Sequence, residues 1–215
     1  MNYQTFKQKI IKNWLCIIFL IASFALTMYA LLFYNPIDNT LSDVGRANRV
    51  WFFFWGFTTC LALYFNLNYM TMKFKINNKI IDKVLDIVAI IASFCVLMVG
   101  CVVGIAGDEV SVVFHWSFAI TFAVLSVAYI FFIIIYQIAK GNKIFIAPLA
   151  FLIIAGAIDL GSIFFIGLSA LCELPILLAC EVAMYVINTH LRAKGQAAAL
   201  NAEPAAENAD KAELQ

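Results

Sequence analysis

The sequence predicts an all-α fold, a polytopic membrane protein built as a six-transmembrane-helix bundle, and three observations carry that prediction. Six long apolar runs fill nearly all of residues 14–191. Of the 215 residues, 64% are hydrophobic and only 13% charged, with a mean hydropathy of +0.94, whereas soluble domains carry about 25% charged residues. The Lys and Arg residues between the runs fall almost entirely on alternate connections. A membrane β-barrel is excluded, because its strands of about 10 residues alternate apolar and polar positions, and these runs are apolar on every face.

A hydrocarbon core about 30 Å thick takes about 20 helical residues to cross, which places spans at Trp14 to Tyr34, Val50 to Met70, Val84 to Ala106, Ser111 to Ala139, Ile144 to Leu168 and Leu171 to Leu191. The first follows Lys7, Lys9 and Lys12 and is read as an uncleaved signal anchor, being longer than a secretory apolar region of about 7 to 15 residues. Pro36 ends it, and the polar connection from Asn35 to Arg49 uses Gly45 for a tight turn. In the second span Trp51 and Trp55 are placed as interfacial anchors, as are Trp14 and Trp116, and Asn66 and Asn68 as interhelical hydrogen-bonding groups. The third span carries Asp86 near its inward end, in reach of Lys79, Lys83 or water, and a Gly100/Gly104 pair suited to close helix packing. Residues 1–13 form a basic N-terminus, 14–191 one transmembrane domain, and 192–215 a flexible cytoplasmic tail rich in Ala, Glu and Asn.

All but two of the fourteen basic residues fall on one side, the exceptions being Arg46 and Arg49. The positive-inside rule therefore puts both termini in the cytoplasm and turns the connections at 35–49, 107–110 and near 169 outward. The sequence does not separate a plasma or bacterial inner membrane from an endomembrane. A net charge of +1 implies no nucleic-acid partner. The six cysteines, Cys16, Cys60, Cys95, Cys101, Cys172 and Cys180, read as small core residues, with an outward disulfide between Cys101 and Cys172 geometrically conceivable.

Ionisable groups inside spans cost about 2.5–3.5 kcal/mol each on insertion scales, so each marks a candidate site. Apart from Asp86 they are His115, Asp159, Glu173 and Glu181, and the topology gathers these four in the outward half of the bundle. The outward connections add Asp38, Ser42, Asp43, Arg46, Arg49, Asp108 and Glu109. Asp108, Ser111 and His115 share one face if the fourth helix begins slightly early. The binding cluster is thus Ser42, Asp43, Arg46, Asp108, His115, Asp159, Glu173 and Glu181. No cofactor motif occurs, and no metal site is expected, since His115 is the one outward histidine and His190 lies at the opposite end. Ser42, His115 and Asp43 or Asp108 can be drawn as a catalytic triad, but Ser42 sits in no nucleophile elbow. A structural alternative has Arg46 or Arg49 folding down to neutralise Asp159 or Glu173. Proton coupling through Asp159 and Glu181 is a further alternative, and a lightly perturbed His115 would make the site pH-sensitive.

An apolar first span, Asn35-Pro36, then Leu41-Ser42-Asp43-Val44-Gly45 and an aromatic second span resembles the outward loop of the DRAM-type six-helix membrane family and its bacterial relatives. Gly107-Asp108 followed by His115, Ala119 and Phe122, and Ser169 to Glu173, are similar to two further elements of that family. The resemblance implies six helices, cytoplasmic termini and a role near lipids: autophagy modulation, remodelling of lipid anchors or control of phospholipid distribution. It carries over polar positions at Ser42, Asp43, Asp108, His115 and Glu173, without a common reaction. The expected function is a non-enzymatic lipid-associated or regulatory role through the outward pocket. The alternatives are a lipid-modifying hydrolase or acyltransferase, a small proton-coupled transporter, and a structural assembly protein. Expected partners are membrane lipids and a membrane-protein partner or second copy.

Overall fold

The computed structural model describes residues 11, 13–35, 37–74, 76, 78–102, 108–167, 173–191 and 193. The expectations for Pro36, Gly104, Gly107, Cys172, residues 169–171, the N-terminal lysines and the C-terminal tail lie outside the described residues. The helices are α1 Asn13–Phe33, α2 Leu41–Ala47, α3 Arg49–Phe74, α4 Lys79–Cys101, α5 Glu109–Ala139, α6 Ile146–Phe165 and α7 Leu174–Leu191. Six of them are long and apolar enough to cross a membrane, all but the short α2. The chain is a polytopic, all-α membrane protein.

Local chemistry sets the helix ends. Asn78 accepts hydrogen bonds from the backbone N–H groups of Ile80 and Ile81, so α4 begins five residues before the expected Val84 and is closed by Val102. Asp108 caps α5 by accepting from Val110 N at 3.2 Å. Gly141 supplies the left-handed residue that ends α5, with φ +86°, and lets Asn142 N reach Gln137 O at 3.0 Å. Pro148 and Pro175 fall in the first turns of α6 and α7, where their missing N–H groups leave no ladder bond unmade.

The connection expected as a turn contains α2. Thr40 and Asp43 form a reciprocal capping box at its start. Gly45 lies within this helix and makes no turn. Its role is steric, because a Cβ there would sit 2.6 Å from the Phe52 ring.

The centre of the bundle is α3. Of its most apolar stretch 56% is buried, against 28% for α1, α5 and α6. It packs on both α1 and α4, and α4 packs in turn on α5. At the α3/α4 crossing, Gly56 and Gly100 meet backbone to backbone: a Cβ on Gly56 would lie 2.7 Å from Gly100 Cα. The close helix approach expected at Gly100 is made with Gly56 of the neighbouring helix. Phe19 of α1 stacks on Phe65 of α3 at 5.4 Å. Asn66 donates to Cys16 O of α1 at 3.0 Å and accepts from Asn188 of α7, joining three helices as a residue of its type was expected to do. Asn68 donates instead to Tyr64 O of its own helix at 2.8 Å. The hydroxyl of Tyr129 on α5 donates to Leu67 O of α3 at 2.6 Å.

Three expectations are corrected. Trp51 and Trp55 are only 7% and 2% exposed, so they are core residues and not interfacial anchors; Trp55 Nε1 donates to Thr27 Oγ1 at 3.0 Å and its ring stacks on Phe52. Asp86 is buried and does not extend to water. Cys101 is a free, exposed thiol. The large exposed residues, such as Leu32, Phe164 and Phe165, lie on outer helix faces that hydrocarbon would solvate.

Candidate functional site

A cavity of about 200 Å³ opens among α1, α3, α4, α5 and α7 beneath α2. Its walls are apolar, led by Phe52, Trp55, Val99, Trp116, Ala119 and Leu177. Polar side chains interrupt them, Ser126 of α5 and two groups. Ser42, His115 and Glu173 stand at the α2 end, and Ser23, Thr59 and Glu181 lie deeper. Glu181 is eight residues beyond Glu173, a rise of about 12 Å along a helix axis.

Ser42 and His115 are in direct contact. Ser42 Oγ is 2.6 Å from His115 Nε2, and His115 Nδ1 is 2.6 Å from Val102 O. A carbonyl oxygen only accepts, so Nδ1 carries the proton, leaving Nε2 of a neutral ring to accept the Ser42 hydroxyl. The ring is held from the side by Phe52, centroid to centroid 6.2 Å, and is only 3% exposed. It is buried and bonded through both nitrogens, so the lightly perturbed setting expected for a pH-sensing histidine is not what it occupies.

Asp43 belongs to the capping of α2. Thr40 N and Thr40 Oγ1 each donate to its Oδ2 at 2.8 Å, and Arg46 ion-pairs with its Oδ1. Burial pushes the Asp43 carboxyl up, but these hydrogen bonds from Thr40 and Arg46 and the Arg46 charge outweigh it and hold the group below its ordinary range. Arg46 lies one turn beyond Ser42 on α2, and Arg49 is exposed at the start of α3. The expected pairing of Arg46 or Arg49 with Glu173 or Asp159 is replaced by a different tie: Leu41 N donates to Glu173 Oε2 at 2.9 Å, fastening α2 to the start of α7. Glu173 precedes the sixth spanning helix. Burial raises its carboxyl to about 7, opposed by the Leu41 hydrogen bond and assisted by the Asp43 charge.

Glu181 is 3% exposed, and its Oε1 accepts from Ser23 Oγ at 2.5 Å, with Thr59 Oγ1 at 2.8 Å from the same Ser23 hydroxyl. Its Oε2 has no hydrogen-bond partner among the described residues. Asp159 does not line the cavity; its carboxyl accepts from Ile176 N–H in the first turn of α7. Asp108 stays exposed as the α5 cap, away from His115. The structure thus brings Ser42, His115, Glu173 and Glu181 around one cavity, keeps Asp43 and Arg46 on α2 beside it, and gives Asp108 and Asp159 to helix ends. Neither carboxylate of the conceivable triad touches His115; a backbone carbonyl takes that place.

Sequence reasoning passed over Ser23, Thr59, Phe52 and the Val102 carbonyl. Ser23 and Thr59 had a signal, as hydroxyls inside apolar runs. A backbone carbonyl has none, since every residue carries one.

Fold and site together define a polytopic helical membrane protein with a largely apolar cavity that carries a Ser–His pair at its α2 end. No protein-family model, no curated protein and no solved structure matches the chain.

Proposed function

We propose that this is a lipid-associated membrane protein that holds the chain of one membrane lipid in the cavity beneath α2, its headgroup lying against Ser42, Arg46 and His115. The observation that carries the reading is the cavity itself: largely apolar walls inside a membrane bundle, with Ser42, His115 and Glu173 at its α2 end and a second polar set deeper. A volume of about 200 Å³ is below the roughly 300–1,000 Å³ of sites for drug-sized ligands, so it suits a chain segment, with the headgroup outside. The Arg46 guanidinium, 42% exposed beside the mouth, suits an anionic phosphate. The resemblance of Leu41 to Gly45 and of His115 to the DRAM-type family, whose members act near lipids, supports the same reading. The basic residues support cytoplasmic termini, which turns the cavity mouth outward.

The test is mass spectrometry of lipids retained by the detergent-purified protein, beside an Ala123→Phe variant that fills the cavity wall. One headgroup class should be enriched, and the variant should retain at least about tenfold less of it, as loss of about 1.4 kcal/mol of binding would give. Equal, unselective lipid in both proteins would overturn the reading.

A further inference from the structure

We infer that the Ser42–His115 pair is an acyl-transfer centre, with a long-chain carboxylic ester as its substrate; this rests on the lipid reading of the same cavity. The geometry has three parts of such a centre. The hydroxyl and its base are in contact at 2.6 Å, inside the range over which a general base takes a proton. The base is oriented by a third group, the Val102 carbonyl, which fixes the proton on Nδ1 and points the lone pair of Nε2 at Ser42. The pair lines the α2 end of a largely apolar cavity, where a chain lying in the cavity would bring its own ester carbonyl to the hydroxyl.

Any buried imidazole seeks partners for both nitrogens; what sets this one apart is that its hydroxyl partner lines a cavity. Here α2 is held so that Ser42 faces α5: Thr40 and Asp43 cap the helix, Glu173 binds Leu41 N, and Phe52 fills the space under Gly45 while flanking the imidazole. Second contacts of this kind position a nucleophile.

In the first step the Ser42 oxygen bonds to the ester carbonyl carbon as its proton passes to His115 Nε2. The bond to the lipid alcohol then breaks, and that alcohol leaves with the proton from Nε2. In the second step a water, or the hydroxyl of an acceptor, gives its proton to Nε2 and bonds to the acyl carbon. Ser42 leaves and takes the proton back. The acyl group has moved from one oxygen to another, with no oxidant or reductant involved.

The test is intact-mass analysis of the full-length protein in nanodiscs after exposure to a long-chain alkyl fluorophosphonate, which phosphonylates activated serines, with peptide mapping of the adduct. Lipid retention is measured on the same preparation. The expected result is one adduct, on Ser42, absent from Ser42→Ala and formed at least about 100-fold more slowly in His115→Gln, the scale of losing a general base. Monodispersity on size exclusion keeps a misfolded variant from being read as inactive, and an ethyl-chain probe should label more slowly than a long-chain one. Selective lipid retention by the wild-type protein without an adduct on Ser42, or with the adduct elsewhere, overturns the acyl-transfer centre and leaves the lipid reading standing. Absence of both adduct and selective lipid removes both.

Discussion

The protonation of one ring and one carboxyl shapes the α2 end of the molecule. Val102 O decides which imidazole nitrogen of His115 bears its proton, and Glu173 decides how α2 is docked. For Glu173 the folded-state value is raised from 4.5 to about 7, so the folded protein binds more protons than the unfolded chain across that interval. Its stabilisation is complete below pH 4.5 and is lost as pH rises through about 7. Asp43, lowered in the folded state, acts in the opposite sense and only in more acidic solution, where its contribution is lost as pH falls. The protection of the α2 amides, taken relative to intrinsic exchange at each pH, should therefore fall between pH 5 and 8, and Glu173→Gln should flatten that dependence; protection that does not change with pH would count against the docking role. Thr40→Ala removes the cap and should cost about 1 kcal/mol, read as faster exchange confined to α2. Ser42, His115 and Glu173 were visible in the sequence as polar residues brought to one end. Their pairing was not, because it depends on α2 being a helix and on a main-chain oxygen.

At the scale of the elements, the spanning helices were legible because lipid leaves a backbone no alternative to internal hydrogen bonding, so long apolar runs become helices. Their ends were less so. Hydropathy starts the third span at Val84, whereas the Asn78 side chain starts α4 at Lys79 and carries three polar or charged residues into its first turn and a half. The turn-like composition of 35–49 likewise concealed a seven-residue helix specified by its capping box. Close packing of α3 on α4 makes the strongest prediction here. Gly56→Ala puts a Cβ against the Gly100 backbone, which cannot rotate away. The expected cost is about 1–3 kcal/mol, the usual range for overpacking, measured by thermal denaturation in detergent. Gly156→Ala, at a site where a Cβ meets nothing within 4 Å, is the matched control and should be near neutral.

For the whole molecule, the alternation of basic residues predicts a single orientation. In a background with the six cysteines replaced, Ile37→Cys should react with a membrane-impermeant thiol reagent from the side opposite the termini, and Lys143→Cys should react only once the membrane is opened. Reversed labelling would invert the topology and with it the side that the α2 end of the cavity faces. The bond between Ser23 and Glu181 has a consequence for how the protein is made. These residues are 158 positions apart, on the first and last spanning helices. Chains are synthesised from the N-terminus, so the Ser23 hydroxyl, which also bonds Thr59, must wait in the bilayer without its carboxyl partner while the four intervening spanning helices are threaded in. The last helix then completes the polar centre in one move, through Glu181 and through Asn188 to Asn66. Until α7 inserts, Ser23 and Asn66 therefore sit in the bundle without the partners that α7 brings.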